Sequence, residues 1–242
     1  MQLPIYFFGD NHFSINSLSN KEKIKKFEDF YHLIKNEKCS IVIMGDFFDY
    51  YFEYNNSKPD YFNEVFDLLK RIKESKIDIY FVAGNHDYWI GDYFKSYTKK
   101  TFLNDTEIQI NNKSIYLTHG DGILSWDKSY RVLKKIIRSS IFIIIYSLIP
   151  KKYGNKIAQK ISYKRKDSHK RDIKKLNKIH DELINFSKEK WSTGTDCVIM
   201  GHYHHDFSFT ENGKELYILD DCSENSFNYL KFDGSGFIKE KI

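Results

Sequence analysis

Residues 77–90 read IDIYFVAGNHDYWI: an apolar run of strand length stops at Gly84, and Asn85, His86 and Asp87 follow at once. Taken alone, such a tetrapeptide is a turn, because Gly and Asn tolerate left-handed backbone and Asp bonds its own main chain. Repetition decides otherwise. The chain also carries GDNH at 9–12, GDFFD at 45–49, HGD at 119–121 and GHYH at 201–204. Each follows an apolar run, at 3–8, 41–44, 114–118 and 196–200, and a further run lies at 216–219. Two stretches with apolar residues at three and four spacing, 21–36 and 61–76, separate the first three runs and predict helices. Strand, helix, strand, helix, strand predicts an α/β layered fold, with central β-sheets sandwiched by helices.

In an open α/β sheet, residues just past the carboxyl ends of the strands converge on one crevice. The five blocks would therefore bring Asp10, His12, Asp46, Asp49, Asn85, His86, Asp87, His119, Asp121, His202 and His204 together. Oxygen and imidazole donors without thiolates suit Mn, Fe or Zn, and there are enough of them for two ions sharing a carboxylate. Two adjacent divalent ions serve in-line displacement at phosphorus, so the expected chemistry is phosphoester or pyrophosphate hydrolysis.

Composition sets the frame around that centre. In 242 residues, 41% are hydrophobic and 17% aromatic, which supplies a real core and excludes a disordered chain. Cys39, Cys197 and Cys222 lie far apart in or beside apolar runs, without zinc-knuckle or disulfide spacing, and read as reduced, mostly buried thiols. The opening MQLPIYFFGD lacks a basic n-region, so no signal peptide and a cytosolic location are expected.

Charge is unevenly spread. Residues 128–178 hold 17 Lys+Arg against 2 Asp+Glu, leaving 21 against 31 for the rest of the chain. We expect one domain over 1–242 with a helical, basic and apolar cap inserted at about 130–186. Its run IFIIIYSLI, 141–149, is too short to span a bilayer, which needs about 20 apolar residues.

The five blocks together resemble the calcineurin-like metallophosphoesterases, whose pattern is D-x-H, G-D-x-x-D, G-N-H-D/E, H-G-D and G-H-x-H. The resemblance implies that Asp10, His12 and His204 hold one metal and Asn85, His119 and His202 the other, with Asp46 bridging. It makes His86 a catalytic contact to the phosphate and leaving group, while Asp49 and Asp87 orient backbone or histidines. GDFFDYYFEY, GNHDYWIGDYF and HGDGILSWDKSYRVLKKIIR, with the basic and apolar segment after them, look like the UDP-2,3-diacylglucosamine diphosphatases of lipid A biosynthesis. Some members of that family carry Arg at the place of His86. The resemblance implies manganese as the metal, and release of UMP and 2,3-diacylglucosamine 1-phosphate from a lipid-linked nucleotide. It also implies that Asp127 and Tyr130 meet the substrate, with Lys164 and Lys166 in SYKRKDSH contacting sugar phosphates. His169 and His180 read as plain surface histidines.

A pyrophosphate carrying two acyl chains calls for cations and an apolar slot on one lid. Ile141, Phe142, Ile143 and Leu148 are expected to meet acyl chains or the bilayer surface, and Lys151, Lys152 and Lys156 anionic head groups. That places the protein peripherally on the cytoplasmic face of the inner membrane, with no obligate protein partner. The competing enzyme reading is a phosphodiesterase acting on another nucleotide or on nucleic acid. Tyr146, Tyr153 and Tyr163 stand amid an aliphatic run, so no nucleic-acid partner is expected. A non-catalytic scaffold would have lost ligands, and none of the five blocks is missing one.

Overall fold

A computed structural model of the chain describes residues 1–15, 20–54, 59, 61–154, 156 and 173–242. Two sheets face each other. The first begins with strand β1 (Ile5–Phe8), followed by helix α1 (Lys21–Ile34), β2 (Ser40–Ile43), α2 (Asn63–Glu74), β3 (Asp78–Val82), the short α3 (Asp92–Lys95) and β4 (Lys100–Phe102). β1, β2, β3 and β4 run parallel, with Ile5 opposite Ser40 and Ser40 opposite Asp78. The second sheet holds β5 (Thr106–Ile110) and β6 (Lys113–Thr118). The chain then forms α4 (Lys128–Ile137), α5 (Ser140–Ser147) and α6 (Ile173–Ser192) before β7 (Cys197–Met200), β8 (Phe207–Glu211) and β9 (Lys214–Ile218) complete that sheet. β10 (Asn228–Phe232) and β11 (Phe237–Lys241) return to the first sheet and pair antiparallel beside β1. The orders are β11-β10-β1-β2-β3-β4 and β5-β6-β7-β9-β8.

Side-chain alternation explains the layering. Along β1, Tyr6 and Phe8 join Phe27 and Phe30 of α1 and Leu68, Leu69 and Ile72 of α2, while Ile5 and Phe7 point the other way. That second face meets Ile115, Leu117, Cys197 and Ile199 of the opposing sheet. On its far side, Val198, Met200, Leu216 and Ile218 pack on Ile179, Leu183 and Trp191 of α6. The order of layers is helix, sheet, sheet, helix. Strands buried on both faces read as unbroken apolar runs, which is why β1, β2, β3 and β7 stand out in the sequence. Each fully buried Phe, Leu or Ile contributes about 1.5–3 kcal/mol, and truncating Phe27, stacked on Phe227, would cost about 3–5 kcal/mol. All three cysteines are buried and free, as their apolar neighbours suggest.

α4 and α5 lie outside these layers. Tyr146 of α5 is buried against Tyr50 and Phe52, with Phe142, Ile143, Ile149 and Trp89 packed around them. Ile141, Ile144, Ile145 and Leu148 are exposed. Among the described residues, no helix is long and apolar enough to cross a membrane. Lys164, Lys166 and His169 fall outside the described residues.

Candidate metal centre

The loops at the carboxyl ends of β1, β2, β3, β6 and β7 meet at one end of the two sheets. The backbone there is unusual. Asp10, His12, Asp46, His202 and His204 all have positive φ, at 52°, 47°, 47°, 71° and 47°. Non-glycine residues take this region rarely, and its cost is borne where surrounding structure enforces it. The enforcement is visible: Asp10 N donates to Gly45 O at 3.0 Å and His12 N to Asp46 O at 3.0 Å, so the first two loops stay paired beyond their strands.

Each central carboxylate spends one oxygen on a neighbouring loop and leaves the other to the cleft. Asp10 Oδ2 accepts from His202 N at 2.8 Å, and Asp46 Oδ1 accepts from His86 N at 2.9 Å. Glycine makes these approaches possible. A Cβ on Gly84 would sit 2.1 Å from Asp46 Oδ1, and one on Gly201 would sit 2.6 Å from Asp10 Oδ2. Asp10 Oδ1 and Asp46 Oδ2 then face imidazoles. His204 Nε2 lies 3.4 Å from the former and His119 Nε2 3.3 Å from the latter.

Four histidines share one arrangement, with Nδ1 turned to an oxygen outside the cleft and Nε2 turned into it. His119 Nδ1 donates to Met44 O at 2.9 Å, and His86 Nδ1 donates to Asp49 O at 2.6 Å. His12 Nδ1 faces Asp49 Oδ1 at 3.4 Å, and His204 Nδ1 faces Asp221 Oδ2 at 3.7 Å. An oxygen held behind the ring selects the tautomer whose Nε2 lone pair is available to a cation. Asp87 works on the backbone instead, accepting from Phe47 N at 2.7 Å, Gly84 N at 2.9 Å and Asp46 N at 3.2 Å. Burial, aided by the charge of Asp46, pushes its carboxyl up to about 7.

These donors fit divalent metal. Asp10 Oδ1 is buried and has no hydrogen-bond partner. Ligand atoms of Asp10, His12 and His204 lie within 4.8 Å of one another, as do those of Asp46, His119 and His202, and those of His12, Asp46 and His86. Asn85 Oδ1, 3.3 Å from His119 Nε2, joins the second group. Burial, helped by the charge of His119, holds His202 down at about 3 and keeps its ring neutral, as a ligand must be. His119 has the opposite balance: burial disfavours its charged form, but the Asp46 carboxylate outweighs burial and raises it to about 10.

The residues named for substrate divide differently. Tyr130 OH is turned to Asp121 Oδ2 at 2.8 Å, and Asp127 is half-buried at the start of α4. Phe142 and Ile143 pack on the body, whereas Ile141 and Leu148 face outward, because an eight-residue helix has only one inward side. His180 is not a plain surface residue: it stacks on Phe207, with ring centroids 3.9 Å apart, and burial lowers its pKa. Sequence reasoning missed Asp221, Lys134 and Arg138. The first was legible as the polar end of the run at 216–219.

The profile of the calcineurin-like phosphoesterase family matches residues 3–213, and the chain belongs to that family. It is a metal-dependent phosphoester hydrolase. Within the family, it is similar to the UDP-2,3-diacylglucosamine hydrolase of Haemophilus influenzae (strain PittGG), 29% identical over 97% of this chain and 98% of that one. The UDP-2,3-diacylglucosamine hydrolase of Wigglesworthia glossinidia brevipalpis is 32% identical over 78% of this chain and 77% of its own. Among solved structures, an archaeal phosphodiesterase aligns over 99% of this chain and 100% of its own, with a TM-score of 0.49 and 12% identity.

Proposed function

We propose that the protein hydrolyses the pyrophosphate of UDP-2,3-diacylglucosamine, releasing UMP and 2,3-diacylglucosamine 1-phosphate in lipid A biosynthesis. Asp10, His12 and His204 would hold one divalent ion and Asn85, His119 and His202 the other, with Asp46 shared. A divalent pair, in this reading Mn²⁺, supplies Lewis acidity toward a phosphoryl group and lowers the pKa of water.

The chain's own residues do the rest. Asp46 and Asp10, each fixed by a backbone N–H, are held in place before substrate arrives. With Nδ1 committed to Asp49 O, His86 turns Nε2 to the cleft, where it would contact the phosphate and the leaving oxygen. Asp49 holds His86 and His12 together.

The observation that carries the lipid substrate is the helix pair beside this centre. Val132, Leu133, Ile136, Ile141, Ile144, Ile145 and Leu148 are exposed on α4 and α5, a patch that soluble surfaces seldom present. Between 128 and 156 the chain has Lys128, Arg131, Lys134, Lys135, Arg138, Lys151, Lys152 and Lys156 and no acidic residue. Apolar side chains in so basic a stretch suit acyl chains and an anionic bilayer surface, although Lys134 and Arg138 turn to Asp121. This supports the α4–α5 part of the expected 130–186 cap, α6 being packed on the second sheet, and peripheral binding at the cytoplasmic face of the inner membrane. Lys164 and Lys166 would add sugar-phosphate contacts, and Asp127 and Tyr130 would line the approach.

Phosphorus NMR tests this directly. With Mn²⁺ removed after turnover, the spectrum should show UMP and a lipid-linked monophosphate from UDP-2,3-diacylglucosamine. Hydrolysis of UDP-sugars or small diesters with the diacylated nucleotide left intact would sink the substrate assignment while keeping the metal centre.

A further inference from the structure

α4 turns two unlike faces to its surroundings. Val132, Leu133 and Ile136 are exposed, whereas Tyr130, Lys134 and Arg138, spaced by four, all reach a single carboxylate. Tyr130 OH donates to Asp121 Oδ2 at 2.8 Å, Lys134 Nζ lies 3.0 Å from the same oxygen, and Arg138 Nη2 lies 3.2 Å from it. Lys134 Nζ also donates to the backbone oxygen of Asp121 at 2.8 Å. Asp121 ends the HGD block, two residues beyond His119.

The other end of α4 grips the GNHDYW loop. Arg138 Nη2 lies 3.4 Å from Gly84 O, and its guanidinium sits 4.4 Å above the ring of Tyr88. Trp89 Nε1 donates to Ile137 O at 2.8 Å. One helix face thus joins the loop of Asn85 and His86 to the loop of His119. Arg138 and Lys134 are mostly shielded, with side chains 13% and 23% exposed, and their charges are spent on Asp121.

We propose that Lys134 and Arg138, acting through Asp121, are positioning residues that fix α4 against the metal centre. They set the distance between whatever the outer faces of α4 and α5 hold and the phosphoryl group at the metals. This rests on the reading that those faces hold the lipid end of the substrate. Misplacing a reacting group by about 1 Å can cost on the order of 100-fold, so a loosened α4 should be felt by the long substrate alone.

The test uses the full chain with Mn²⁺, the Lys134→Gln/Arg138→Gln double variant, Lys134→Gln alone in case the double variant does not fold, and Arg138→Lys. For UDP-2,3-diacylglucosamine, kcat/KM should fall roughly 10- to 100-fold in the double variant, less in Lys134→Gln, and recover in part with Arg138→Lys. Metal content and turnover of bis-p-nitrophenyl phosphate should stay within about twofold, and amide exchange across 128–147 should quicken. An unchanged kcat/KM for the lipid nucleotide overturns the proposal. So does an equal fall for both substrates, which would place the two cations at the metals themselves. Should the parent protein cleave the small diester but not the lipid nucleotide, the substrate assignment fails separately. Amide exchange then decides the positioning role, with unchanged rates in α4 overturning it.

Discussion

His12 Nε2 and His204 Nε2 face each other at 3.2 Å, their rings inclined by 25° and their other nitrogens turned toward Asp49 and Asp221. At that distance the two nitrogens either share a proton or take a cation between them. Asp10 Oδ1, 3.4 Å from His204 Nε2, supplies the negative charge beside them.

Removing one member of that trio should empty one position and spare the other. His204→Ala is expected to retain one ion per chain by atomic emission and to lose turnover. Asp46→Ala should lose both ions in large part, since its carboxylate lies with His119 and His202 of one set and also with His12 of the other. Two retained ions with full activity in Asp46→Ala would refute the ligand assignment.

His86→Ala separates catalysis from metal binding. Nδ1 of His86 is held by Asp49 O and Nε2 lies 3.8 Å from Asp46 Oδ2. Turnover should drop by about 10²- to 10⁴-fold with both ions retained. A variant that also loses an ion would make His86 a ligand.

The outward side chains of α5 offer a third measurement. Ile144 and Ile145 are 61% and 58% exposed, so charge there should not unfold the helix. Ile144→Asp with Ile145→Asp should raise KM for the diacylated substrate about tenfold or more, as loss of an aliphatic contact of about 1.5 kcal/mol implies, and release the protein from anionic vesicles. Sedimentation with vesicles that matches the parent protein would remove the bilayer from the account.

Acid stability probes Asp121. Its burial favours the neutral carboxyl, but the charges of His119, Arg138 and Lys134 outweigh burial and hold it down to about 2 from 3.8. A depressed carboxyl contributes stability that is complete above its unfolded value and lost as pH falls through its folded one. The unfolding free energy of metal-free protein, from urea titrations, should therefore decline between about pH 4 and pH 2 by on the order of 2 kcal/mol. The Lys134→Gln/Arg138→Gln variant should lose less over that range, and an equal loss would show that the two cations do not hold Asp121.

How far the sequence reaches follows from what each element buries. β1, β2, β3 and β7 are nearly unbroken apolar runs and β6 has the apolar centre IYL, because both faces of their sheets are covered, and the loops after them carry all five ligand blocks. β5, TEIQI, and β8, FSFTE, alternate polar with apolar residues over only five positions, and β11, FIKEK, is nearly all exposed. Such edge strands owe their conformation to their partners, so no local pattern announces them. Asp127 and Tyr130 were named from resemblance, yet the hydroxyl of Tyr130 serves Asp121. Lys134 and Arg138 look like any basic helix face until folding places one carboxylate within reach of both.

The left-handed backbone at Asp10, His12, Asp46, His202 and His204 has a consequence for anyone redesigning the protein. A procedure that scored each position only for conformational comfort would choose glycine or asparagine at these sites, and the chain would shed the strain of its left-handed backbone there. It would also be inert. Consensus and stabilising libraries should hold these five positions constant, and selection for thermal tolerance alone would drift toward erasing the residues that make the molecule useful.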